Sequence, residues 1–96
     1  MRFRHAAALA LVGWYLMLPP PNPDNKNTIL LGADLSLWAV YESYDNAKEC
    51  RRERETLKAR IPFTDTDEVL KRGSISDKMR WFGQCVATDD PRLKQK

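Results

Sequence analysis

Tyr44-Asp45-Asn46-Ala47-Lys48-Glu49-Cys50 decides how the chain is arranged, because it opens the one long amphipathic helix and carries the first of two cysteines. From Tyr44 the less polar positions fall at Ala47, Cys50, Leu57 and Ile61, steps of three and four that lie along one helical stripe. Cys50 therefore faces inward. Ser43 or Asp45 can accept from the free N–H groups of the first turn, and Pro62 ends the helix just after Ile61, which predicts a helix over about 46–60. Lys48, Glu49, Arg51, Arg52, Glu53, Glu55 and Lys58 form its solvated faces, with Arg51 and Glu55 four apart. Arg54 falls on the apolar stripe and is expected to lay its methylenes over the core with its head in water.

Upstream of this helix, residues 37–44 are rich in aromatic and β-branched side chains and read as a strand, with Trp38, Val40 and Tyr44 on the core face. Downstream, residues 84–88 alternate, with Cys85 and Ala87 on one face, as in a half-buried strand. Pairing these two strands under the helix brings Cys50 to Cys85. Those are the only cysteines, so one intramolecular bridge is possible, and closing a loop of that length contributes on the order of 3–4 kcal/mol in the chain-entropy picture. Shorter helices are expected between them, one capped by Thr64, Asp65 or Thr66 and ending at Gly73. Another turn, capped at Ser76-Asp77, would send Met79, Trp81 and Phe82 to the core.

The N-terminus has the form of an export signal: Arg2, Arg4 and His5 precede an uncharged apolar run over 6–18. Pro19-Pro20-Pro21 follows where small residues for cleavage would stand, so residues 1–18 read first as an uncleaved signal anchor and second as a cleaved signal peptide. As a helix the run is about 20 Å long, short of the roughly 30 Å hydrocarbon core unless Phe3 and a snorkelling Arg4 extend it. The positive flank places the N-terminus in the cytoplasm and the remainder outside. Residues 19–34 read as a Pro-rich and polar linker, with a short apolar segment at 28–31 as an edge strand or a cover over the core.

The chain has 96 residues, so it holds one domain, and with the leader set aside about seventy remain to fold. A core that small commonly relies on a disulfide, a metal or a partner. The formal charge is +3, but setting Arg2 and Arg4 aside leaves fourteen basic against thirteen acidic side chains. A nearly neutral domain of mixed charge lacks the concentrated basic field of a nucleic-acid binder. The only histidine, His5, lies in the leader, which leaves no Ser–His or Cys–His pair for the domain. Asp65-Thr66-Asp67-Glu68 lacks the glycine and terminal glutamate of a calcium loop and reads as a helix cap. Asp89-Asp90-Pro91-Arg92 reads as a turn in which Arg92 returns to a carboxylate.

Four segments carry a resemblance. Gly13-Trp14-Tyr15-Leu16-Met17 before prolines, Ala33-Asp34-Leu35-Ser36 before Trp38, Ser43-Tyr44-Asp45-Asn46-Ala47 before Glu49-Cys50, and Gln84-Cys85-Val86-Ala87-Thr88-Asp89-Asp90-Pro91-Arg92-Leu93 together resemble a loose group of small bacterial exported proteins. They cover under half of the chain. That group often has proline in place of Asp34 and phenylalanine in place of Tyr44. The resemblance implies export and a cysteine pair, and it carries no activity or catalytic residue.

The expectation is thus an α+β fold: an anchor helix, then a short sheet of two or three strands covered by one main helix and stapled by Cys50 and Cys85. The domain spans 35–93, with 94–96 as a tail. Functionally it reads as a membrane-tethered cell-envelope interaction or structural module facing the periplasm, without a cofactor and with another envelope protein as partner. Leu37, Ala39 and Tyr41, on the second face of their strand, form the expected partner patch. The alternative is a small periplasmic enzyme or metal-binding protein using the carboxylates of Asp65, Asp67, Asp89 or Asp90.

Overall fold

A computed structural model describes residues 13–94. In chain order the elements are β1 (Trp14–Leu18), β2 (Pro21–Asn22), β3 (Asn25–Ile29), β4 (Ala39–Tyr44), α1 (Ala47–Ala59), α2 (Thr66–Arg72), α3 (Ile75–Trp81) and β5 (Gln84–Ala87), with 3-10 turns at Leu35–Leu37 and Pro91–Lys94. The class is α+β, with a three-stranded antiparallel sheet in the order β4-β1-β5.

β1 corrects the reading of the N-terminal run. Trp14–Leu18, expected as the end of an anchor helix, is the middle strand of the sheet, with Leu16 fully buried and Met17 and Leu18 nearly so. A strand covered on both faces is a continuous apolar run, and periodicity alone does not separate such a run from a buried helix. β1 also lies between the two strands expected to pair directly: Leu16 stands opposite Glu42 of β4 and opposite Cys85 of β5. The rest of the expected leader, residues 1–12, lies outside the described residues. Among those described, no helix is long and apolar enough to cross a membrane.

The expected linker over 19–34 is likewise part of the fold. Pro19 is fully buried, and β2 and β3 form a two-stranded antiparallel hairpin closed by the Leu30 N–H on the Pro20 carbonyl at 2.9 Å. Prolines are tolerated on an outer strand, where a missing N–H leaves no central ladder bond unmade. The hairpin packs on α3 through Lys78, which is 7% exposed and donates from Nζ to the Asn27 carbonyl.

A bulge settles which side chains share a face. The β1–β4 register shifts between Leu16 and Met17, so that Glu42 opposes Leu16, Val40 opposes Met17, and Tyr41 is the extra residue. On the helix-covered side Leu16, Cys50 and Leu57 form one core cluster, joined by Trp14, Tyr44 and Cys85. On the other side Met17, Trp38 and Val86 form a second, joined by Tyr15, Ala33, Leu35 and Leu93. Trp38 and Tyr44, expected on one face, thus serve opposite clusters, because one inserted residue reverses the alternation.

α1 follows its stripe: Cys50, Leu57 and, just past its end, Ile61 are buried, and Arg54 is half-buried beside Glu55 at 3.5 Å. Asn46, not Ser43 or Asp45, caps α1 by accepting from the Glu49 N–H at 2.9 Å. Asp65 caps α2 in the same way through the Glu68 N–H. Ser74 caps α3 two residues earlier than Ser76-Asp77 suggested, exchanging hydrogen bonds with Asp77 at 3.0 and 3.2 Å. Met79, Trp81 and Phe82 are half-buried, and Lys78 takes the buried position of α3.

Candidate functional site

The disulfide is present. Cys50 on α1 and Cys85 on β5 are bonded, with their Cα atoms 6.0 Å apart across 35 residues. The Cys50 sulfur sits 3.6 Å from the Tyr15 carbonyl of β1, a contact and not a hydrogen bond, since a bridged sulfur carries no proton. The bridge thus ties the covering helix to one sheet edge over the middle strand.

The acidic stretches are committed to local structure. Asp65 is the α2 cap and Glu68 meets Arg72 at 3.1 Å. Asp90 receives Arg92 through both carboxylate oxygens, the closest approach being 2.7 Å, and this guanidinium holds the Asp90 carboxyl below its ordinary range. Asp67 and Asp89 are exposed. Among the described residues no group of three or more His, Cys, Asp or Glu side chains is placed to hold a metal ion.

Two surface features border β4. One is an open groove of about 530 Å³ on the sheet face away from α1. Met17 and Trp38 floor it, Tyr15, Leu35 and Leu93 wall it, and Val40, 51% exposed, stands at its rim. The Trp38 ring is held by its Nε1–H donating to the Ala33 carbonyl at 3.1 Å, and Lys94 is the cation at the groove's edge. The other is a small cleft of about 90 Å³ on the helix side, where Tyr41 meets Arg60, Asp77 and Arg80 above Leu57 and Ile61.

The expected patch is therefore divided. Leu37, 65% exposed, belongs to the first 3-10 turn and lines a depression with Asp34 and Leu93. Ala39 opposes Leu18 on β4 and is exposed. Tyr41, 42% exposed, faces the helix-side cleft. All three reach solvent, but the bulge and the turn prevent one face from holding them. Arg60 and Arg80 were not legible as a pair, since they are twenty positions apart and meet Tyr41 only through the packing of α1 and α3. Lys78 gave no signal either, since a lysine on a short helix ordinarily reads as solvated.

The fold and these features define a small disulfide-stapled α+β domain with two uncovered surfaces beside β4. No protein-family model, curated protein or solved structure matches the chain.

Proposed function

We propose that the chain is an exported module of the bacterial cell envelope that acts by non-catalytic contact with another envelope component. The observation that carries this reading is the closed Cys50–Cys85 bridge inside the core, because disulfides persist in oxidising compartments and supply what a small core lacks. On this reading an export signal would lie ahead of Gly13, because β1 begins at Trp14. The apolar residues left to it, 6–12, reach about 10 Å as a helix against a hydrocarbon core of roughly 30 Å. A cut between Pro19 and Ala33 removes the middle strand. The groove over Trp38 is the contact surface this reading favours, with Leu37 beside it.

The test is intact mass of protein recovered from the producing cell and alkylated under denaturing conditions. No alkylated cysteine before reduction, two after it, and an N-terminus ahead of Gly13 are expected. Two alkylated cysteines in the untreated sample contradict export, as does retention in the cytoplasm. Photo-crosslinkers at Leu37 and at Arg51 then locate the contact: capture from Leu37 alone supports the groove, and capture from Arg51 alone moves the contact to the charged helix.

A further inference from the structure

β4 is an edge strand among the described residues, paired with β1 on one side only. It spans six residues, Ala39-Val40-Tyr41-Glu42-Ser43-Tyr44, and the first five are exposed. Exposed edges are commonly blunted by lysine or another charge, by proline or by a bulge; β4 has no lysine or proline, one charge at Glu42 and one bulge at Tyr41. Its outer row of backbone N–H and C=O groups faces no strand among the described residues, and a partner strand whose register accommodates the bulge and the charge can pair with it.

We propose that this edge pairs antiparallel with β4 of a second copy of the chain, about a two-fold axis, to give a continuous six-stranded sheet. The occupant and register follow from faces and charge. Residues opposite one another on an antiparallel pair point to the same side. With Tyr41 opposite Glu42 of the second copy, Val40 stands opposite Ser43 and Ala39 opposite Tyr44. The bulge makes this register consistent: Ala39, Glu42 and Tyr44 lie with Leu18, Leu16 and Trp14 on the helix side, Tyr41 joins them at its cleft, and Val40 and Ser43 lie with Met17 and Tyr15 on the other.

This register also carries Glu42 of each copy beside Tyr41 of the other, at the mouth of the cleft that holds Arg60 and Arg80. Neither arginine is in an ion pair among the described residues, and Glu42 has no cation of its own. Asp77, the acid in that cleft, already accepts from the Ser74 N–H. The interface is isologous: each copy contributes one carboxylate and receives one at its arginine pair. A face-consistent strand pairing and a reciprocal charge match favour a second copy over an unrelated strand. The inference concerns the edge and not the groove, and it does not rest on export.

The experiment is sedimentation equilibrium of the full oxidised chain from about 1 µM to 1 mM, in low and high salt. The wild type is expected to reach twice the chain mass, with at least tenfold weaker association in high salt. Glu42→Arg alone and the double variant Arg60→Glu, Arg80→Glu alone each place like charges together and are expected to associate at least tenfold more weakly. Mixed in equal amounts they restore both contacts and recover the dimer. A wild type that remains a monomer throughout overturns the proposal and leaves the edge to a different protein. Undiminished dimers in the single variants, or a mixture that fails to recover, overturn the interface or its register. Circular dichroism and resistance to alkylation confirm that each variant is folded.

Discussion

At position 73 the fold requires the absence of a side chain for reasons of space. A Cβ there would lie 2.6 Å from the Val69 carbonyl oxygen and 3.2 Å from Asp77 Cβ, so backbone of α2 or the start of α3 must move. Gly73→Ala is expected to destabilise by about 1–3 kcal/mol. Gly32→Ala, with nothing within 4 Å, should stay within about 0.5 kcal/mol, and the two urea midpoints compare them. Tyr44 offers a second residue-level test. Burial against the Leu16 cluster, then the charges of Glu53 and Glu42, raise its phenol from 10.0 to about 12. The fold favours the neutral phenol, so this contribution is fully present below about pH 10 and is lost as pH rises through about 12. Tyr44→Phe should flatten the fall in stability across that window. Parallel losses in wild type and variant would show that this phenol does not couple to folding.

At the scale of elements, legibility followed how far each element's pattern was local. α1 was readable within a residue at each end, because its stripe from Ala47 to Ile61 and its stop at Pro62 are properties of one segment. Its disulfide was readable for the same reason, with Cys50 on the stripe and Cys85 on an alternating strand. β1 was not, because Trp14–Leu18 is apolar on both faces and follows further apolar residues. Nor was the β2–β3 hairpin, whose prolines suggested a spacer while the buried Pro19 and the Lys78 contact depend on α3. The faces of β4 were misassigned by a single inserted residue that no alternation rule anticipates. The partner patch at Leu37, Ala39 and Tyr41 inherited that error, and the Arg60–Arg80 cleft required two helices to be packed before it existed. Leu16→Ala tests β1 directly. A fully buried leucine on the middle strand should cost about 2–5 kcal/mol, whereas Val40→Ala, half-exposed on the edge, should cost well under that. Equal small losses would remove Leu16 from the core.

For the whole molecule, two small clusters back to back on one thin sheet hold a chain that neither could hold alone. β1 supplies Leu16 to one and Met17 to the other, and the Cys50–Cys85 bridge closes α1 and β5 over it. The fold therefore turns on Trp14–Leu18 as the middle strand. The most direct measurement is solution NMR of the oxidised chain, reading backbone cross-strand proton contacts at Leu16. Contacts from Leu16 to both Glu42 and Cys85, with slow amide exchange at Tyr15 to Met17, are the predicted result. A continuous helical pattern through Trp14–Leu18, with no contact from Leu16 to either strand, would contradict it.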